Sequence, residues 1–380
     1  MNHDLPSAME LSCGQQNHPD SDAVRSYFNG IFERQYYTES GPLVRRLETE
    51  IGQRLGVPHI VCVSNPAVAW IMLLETGLVS RRLILPATAP LPLLEAIRLI
   101  GCPHRLFDVT SDYGYRVQRT DVNAYLHEGF DAIIGVNSWG GACDIPGLVQ
   151  LAEEHDISVY FDSTDAFACH VQQGTLGALG RAEVFAFDVQ CLIHGAGSAC
   201  ICTHDEELAD RLRCMRSSGG VIRKVPVSKT VNGRMSEAQA AYALIGLERI
   251  DSLISRNREQ HSLYEQALSP LPGISFISSK GVTISNYQQA VITLDDEIKR
   301  NALLTHLRRL GYEATALRFD ANSVAFRRHS GLNRLQSTGL ALPLGSLVEA
   351  ADIRIICDAI TTFLAPHPLN PAGNSGCANL

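Results

Sequence analysis

Asp162, Asp165, Cys169, His170, Cys191 and His194, residues whose types can do chemistry, all fall on or near two adjacent strand-end loops. A cysteine, a histidine and an aspartate brought together make a nucleophile system, in which imidazole draws the proton from sulfur and the carboxylate orients the base. The same types can ligate a metal, but their spacing here matches no strong metal-ligand signature. A second feature narrows the chemistry. The first 223 residues contain no lysine, and the only four in the chain are Lys224, Lys229, Lys280 and Lys299. Any reaction built on a Schiff-base amine must take that amine from these four.

Loops at strand ends must position such residues. Short apolar runs suited to strands occur at His59–Val63, Arg82–Leu85, His104–Phe107, Ala132–Val136, Ser158–Phe161, Val184–Phe187 and Ala199–Thr203. Segments of helical spacing lie between them, among them Ala67–Thr76, Leu91–Ile100 and Ile145–His155. Alternation of this kind predicts an α/β fold with a mainly parallel seven-stranded sheet flanked by helices. Ligands in such sheets sit at the carboxyl ends of the strands, so the loops after Val63, Phe161 and Phe187 matter most. A long helical stretch, Ser236–Ser269, leads into a smaller α+β unit carrying Val291–Leu294, Arg300–Leu310 and a helix near Ala350–Leu364. The expected division is a disordered N-terminus over 1–22, a large domain over 23–250, a small C-terminal domain over 251–365 and a disordered tail over 366–380.

Composition excludes several classes. A net charge of −8, with acids and bases mixed along the chain, argues against a nucleic-acid or anionic-membrane partner. Hydrophobic content of 45% and charged content of 19% are those of a soluble globular chain with a substantial core. The eleven cysteines are odd in number and mostly sit in apolar runs such as Ile60-Val61-Cys62-Val63, which suits reduced core thiols. No apolar run reaches membrane-spanning length, and Met-Asn-His-Asp at the start lacks the basic and apolar regions of a signal peptide. A cytoplasmic location is expected.

Several landmarks, in order, carry a family likeness. They are Thr38-Glu-Ser-Gly-Pro-Leu-Val-Arg-Arg-Leu-Glu48, Leu55-Gly-Val-Pro-His, Pro86, Asn137-Ser-Trp-Gly-Gly with Asp144-Ile-Pro-Gly, and Tyr160-Phe-Asp162-Ser-Thr-Asp165-Ala166. Phe185-Ala-Phe187, Asp205–Arg213, Asn232-Gly-Arg234-Met-Ser-Glu237-Ala-Gln-Ala-Ala241 and Leu340-Ala-Leu-Pro-Leu344 follow. The chain therefore resembles the DegT/DnrJ/StrS-type sugar aminotransferases over roughly residues 24–365. That resemblance implies a fold type I enzyme dependent on pyridoxal phosphate (PLP), acting on nucleotide-linked keto sugars. It implies that Asp162 pairs with the cofactor's pyridine nitrogen, and that Asn232 and Arg234 reach into a neighbouring subunit's site. On the residues alone, Asp162 also reads as an acid capping the turn that follows it.

The chain departs from the family where the chemistry is done. The family strand Ser-Phe-His-Ala-Thr-Lys, ending in the aldimine lysine, corresponds to Ala186-Phe187-Asp188-Val189-Gln190-Cys191, so Cys191 stands at the lysine position. A thiol adds to an aldehyde only as a labile hemithioacetal and cannot form a Schiff base. Lys224 and Lys229 follow in a loop and read as solvated surface lysines. The family's Gly-Thr phosphate cup corresponds to Pro66-Ala67 within Ser64-Asn65-Pro66-Ala67-Val68, losing an N–H donor and a hydroxyl. A phosphate-contacting serine is Ala186. The segment Pro86–Pro90 lacks the aromatic that stacks on the ring, and Asp165 replaces a neutral polar residue.

Each lost hydrogen bond to a charged phosphate is worth roughly 1.5–3 kcal/mol. Ordinary transamination is therefore not expected, and no covalently bound cofactor. The leading expectation is a degenerate homologue of nucleotide-sugar aminotransferases, a pseudoenzyme in sugar or secondary-metabolite biosynthesis, as a homodimer or a heterodimer with an active paralogue. The alternative is a PLP- or pyridoxamine-phosphate-dependent aminotransferase or dehydratase-type enzyme with Cys191 in the lysine's place, helped by His194 and Asp165. Ser64, Asn65, Asp162, Asn232 and Arg234 are the candidate cofactor-binding residues, and a sugar nucleotide is the candidate ligand. A third reading is a new activity in the old cleft, using Asp162, Asp165, Cys169, His170, Cys191 and His194.

Overall fold

A computed structural model describes residues 17, 19–38, 40–77, 82–217, 227, 229–319 and 329–365 of the 380. Lys224 and the tail from residue 366 lie outside them. In chain order the large domain has helices α1 (Ser21–Arg34) and α2 (Pro42–Leu55), strand β1 (His59–Val63), α3 (Pro66–Gly77), β2 (Leu83–Pro86), α4 (Leu91–Ile100) and β3 (His104–Phe107). It continues with α5 (Arg119–Asn123), β4 (Ala132–Val136), α6 (Ile145–Glu154), β5 (Ser158–Asp162), a small hairpin β6 (His170–Val171) and β7 (Gly174–Thr175), then β8 (Ala182–Phe187), β9 (Ser198–Thr203), α7 (Glu206–Arg216) and α8 (Glu237–Glu248).

Seven of these strands form one sheet in the order β1-β9-β8-β5-β4-β2-β3. Only β9 runs against its neighbours; the other four pairings are parallel. Alternate side chains point to opposite faces, as strand pleating requires. Val61, Val63, Leu83, Leu85, Ile134 and Tyr160 pack with α3, α4 and α7. Ile60, Cys62, Ile84, Ile133 and Phe161 pack with α2, α6 and α8. A sheet covered on both faces by helices was the sequence expectation, and all seven strands lie within two residues of the predicted bounds.

The small domain contains α9 (Ile250–Leu268), β10 (Ser275–Phe276), β11 (Ala290–Thr293), α10 (Glu297–Arg309), β12 (Thr315–Ala316), α11 (Ser330–Thr338), β13 (Gly339–Leu342) and α12 (Ala350–Leu364). Its antiparallel sheet, β10-β11-β13-β12, buries Ile292 and Leu340 against Tyr264, Leu303, Leu307 and Ile356.

Two expectations need correction. The stretch Ser236–Ser269 is two helices, broken at Arg249 (φ −105°, ψ 4°). The halves have different packing partners: α8 lies on α1 and α2, and α9 on α12. Structure also begins before residue 23. The Asp20 carboxylate caps α1 by accepting from the amides of Asp22 and Ala23, and Asn17 Nδ2 donates to the Leu192 carbonyl at 3.0 Å. No helix among the described residues is long and apolar enough to cross a membrane.

Candidate functional site: a cleft with two acids

At the carboxyl end of β5 the chain turns sharply and carries Asp162 and Asp165. Asp162 is buried; its Oδ2 accepts from the Trp70 indole nitrogen at 3.0 Å and its Oδ1 from the Thr164 amide at 3.2 Å. Burial pushes its pKa up, against these donors. Asp165 is more heavily committed. Its Oδ2 accepts from the Trp139 amide at 3.0 Å, and its Oδ1 from Gln288 Nε2 at 3.1 Å and Gln289 Nε2 at 3.2 Å. Burial first, then the Asp162 charge, lifts its pKa to about 6. Its carbonyl accepts from the Gly140 amide and from Asn286 Nδ2.

Asp165 thus ties three segments together: the end of β5, the loop 137–143 and the run 285–289 that leads into β11. Trp139 sits at φ 57°, a left-handed conformation that costs a bulky residue energy. The bonds from Asp165 to Trp139 and Gly140 hold it there. A Cβ on Gly140 would come within 2.8 Å of Asn286 Oδ1 and Ser285 Oγ, so the loop passes this point only as glycine.

The loop after β8 brings Cys191 to the same place. Its amide donates to the Asp188 carbonyl at 3.0 Å and its thiol is buried. Burial, followed by Asp165, Asp188 and Asp162, pushes the thiol pKa well up. Reactive cysteines sit in electropositive, partly exposed surroundings, and these are the reverse. His194 faces a separate small groove with Asn17, Pro19, Tyr242 and Arg249; its ring centroid is 5.6 Å from that of Tyr242. Cys169 is buried under the Gly140 carbonyl, its thiol pushed up to about 12, and His170 Nδ1 meets the Thr175 hydroxyl at 3.2 Å. The structure therefore brings Asp162, Asp165 and Cys191 near one another, while His170 meets Thr175 and His194 turns toward Tyr242. No group of three or more metal-ligating side chains occurs among the described residues.

The start of α3 faces inward from β1. Asn65 Oδ1 accepts the Val68 amide at 2.9 Å, and the Asn65 carbonyl accepts that of Ala69. Ser64 is held through its backbone, donating to the Gly233 carbonyl and accepting from Gln239 Nε2. Arg234 bridges to Val63, and its Nε donates to Asn232 Oδ1 at 3.1 Å.

Beside Asp162 and Asp165 opens a cleft of about 430 Å3, lined by Thr88–Leu91, 136–139, Asp162, Thr164, Asp165, Arg318 and Phe319; Ser64, Asn65, Cys191, Asn232 and Arg234 are not among its lining residues. Sequence reasoning missed Trp70, Arg318, Phe319, Gln288 and Gln289. Trp70, Gln288 and Gln289 act on acids remote in sequence, Arg318 and Phe319 line the cleft, and no local spacing marks any of them.

A sequence profile of the DegT/DnrJ/EryC1/StrS aminotransferase family matches residues 20–361. The chain belongs to this family. It is 24% identical over 352 residues to the GDP-perosamine synthase of Vibrio cholerae, covering 89% of this chain and 95% of that one. It is 23% identical over 296 residues to a dTDP-4-amino-4,6-dideoxy-D-glucose transaminase of Shigella dysenteriae, covering 77% and 80%. DesI, solved in the presence of its TDP-sugar product, superposes with a TM-score of 0.84 at 26% identity, covering 93% of each chain.

Aminotransferases of this family work with PLP or pyridoxamine phosphate, and the residues here do not fit that group. Asp162, the acid that would face a ring nitrogen, accepts from the Trp70 indole and the Thr164 amide and keeps lone pairs for a further donor, so the misfit lies elsewhere. An amide at the start of α3 that would face a phosphate is taken by Asn65. No described lysine reaches the cleft: Lys229 donates to the buried Glu75 at 3.1 Å, and Lys299 to Asp295 at 2.7 Å. Lys280 lies by the loop at Gly141, its backbone carbonyl accepting from the Ala142 amide.

Proposed function

We propose that this protein keeps the cleft of a sugar aminotransferase and uses it to hold a sugar-nucleotide-type ligand without transaminating it. The observation that carries this reading is Cys191, a buried thiol among Asp162, Asp165 and Asp188 where the family places its aldimine amine. The self-capped start of α3 supports it. Relatives named for dTDP- and GDP-linked sugars support the ligand class. Asn232 and Arg234, held beside the end of β1, support a dimer with itself or with an active paralogue. The alternative in which Cys191 acts as a base needs a thiolate, which its three acidic neighbours oppose.

An absorbance spectrum tests this directly. The purified protein, with and without added PLP, should show no aldimine band in the near-visible range. Cys191→Lys alone should bind PLP at least tenfold more weakly than Cys191→Lys combined with Pro66→Gly and Ala67→Thr, since each phosphate hydrogen bond restored is worth about 1.5–3 kcal/mol. A strong band from the unaltered protein would refute the proposal.

A further inference from the structure

We infer that Glu183 is a positioning residue behind the cleft, the buried end of a hydrogen-bonded chain that sets the cleft wall and shifts it when Glu183 gives up its proton. Glu183 is the second residue of β8 and is wholly buried. Its Oε1 accepts from the Ser163 hydroxyl. Ser163 Oγ accepts from Asn137 Nδ2 at 2.8 Å, and Asn137 Oδ1 accepts from the Cys143 amide at 2.9 Å. That last bond closes the loop 137–143, which carries Trp139. Asn137 and Trp139 line the cleft, whereas Glu183 and Ser163 do not. The chain of bonds thus runs from an acid outside the cleft to the backbone of its wall, and it does so whatever the cleft holds.

The other oxygen of Glu183 makes this arrangement sensitive to charge. Oε2 is buried and has no hydrogen-bond partner. The groups that face the carboxyl supply no positive charge. They are Asp162 and Ser163 at the end of β5, the Gly177 and Leu179 amides before β8, Cys143 of the cleft loop, Cys169, and Cys200 and Cys202 of β9. A neutral carboxyl can sit among them. A carboxylate there is a buried charge with one bare oxygen, which a low dielectric makes costly. Relief requires water or a new donor at Oε2, and admitting either displaces Ser163 and, through it, Asn137 and the loop. Burial lifts Glu183 to about 7, so the change falls in the neutral range: the wall is closed below it and loosens above it.

Both tryptophans of the chain report on this region, Trp70 on Asp162 and Trp139 on the loop. The emission of the full chain should shift to the red around pH 7, and Glu183→Gln should abolish that step. Asp165, raised to about 6, holds the Trp139 amide directly, so a step near pH 6 is its own and stays in Glu183→Gln. Ser163→Ala cuts the chain of bonds. The emission step should vanish while stability still falls with rising pH, over a range moved upward because a donor favouring the carboxylate is gone. Asn137→Ala, with Ser163 in place, should also lose the step but leave that range unmoved. The two cutting variants decide the matter by themselves where Glu183→Gln does not fold. No step near pH 7 in the unaltered protein, a step that survives in Glu183→Gln, or one that survives in either cutting variant would each overturn the inference.

Discussion

Two helices of this chain start alike and hold different things. α2 opens Gly41-Pro42-Leu43-Val44 and α3 opens Asn65-Pro66-Ala67-Val68, each with proline as its first helical residue. At α2 the amides of Leu43 and Val44 donate to the fully buried carboxylate of Glu237, at 3.1 and 3.0 Å. At α3 the Val68 amide is bonded to Asn65 instead. Proline does not make the difference, because a first-turn amide has no intrahelical partner to lose. The residue before it does. Gly41 leaves room for the carboxylate, and a Cβ there would lie 2.5 Å from Glu237 Cδ. Asn65 supplies its own oxygen. The loss of an anion cup at α3 is thus the work of Asn65 and the missing hydroxyl at Ala67 more than of Pro66, which corrects the sequence argument. Asn65, a candidate cofactor ligand, caps its own helix.

Glu237→Ala should cost about 4 kcal/mol by denaturant unfolding, since it strands two buried amides and leaves a cavity. A loss under 1 kcal/mol would break the contrast between the helices. Glu183→Gln probes a buried carboxylate with no helix start to rest on. Burial lifts Glu183 from 4.5 to about 7, with the Ser163 hydroxyl and the Gly177 and Leu179 amides opposing. The folded state therefore keeps a proton that the unfolded chain has released, and wild-type stability should fall as pH rises from 4.5 to about 7. Asp165, raised to about 6, acts in the same direction. The Gln variant should flatten this slope by on the order of 3 kcal/mol; an unaltered slope in pH-dependent unfolding would show that Glu183 is ionised in the fold. Asn65→Ala should cost only about 1 kcal/mol, an ordinary cap. A cost equal to that of Glu237→Ala would erase the difference.

The sheet was legible because most of its strands are short apolar runs buried on both faces, a local signal; the edge strand β3, His104–Phe107, is the partly exposed exception. Cys191 was legible for a different reason: the flanking landmarks set its register. The break at Arg249 was not, because helical spacing continues through it and only the change of packing partners imposes it. Nor was the role of Asp165. Its donors are 26, 123 and 124 residues away, so an acid read as a repulsive intruder proved to be a three-way tie. His194 lay three positions from Cys191 in sequence and turned into another groove, since loop spacing says nothing about side-chain direction.

All nine cysteines among the described residues are buried. A thiol reagent added to the native protein therefore finds little to react with until some part of the chain opens, and each sulfur becomes a clock for its own element. Cys62, Cys200 and Cys202 time the sheet, Cys357 times the small domain, and Cys191 times the loop over the cleft. A ligand that closes the cleft would slow one clock and leave the others running.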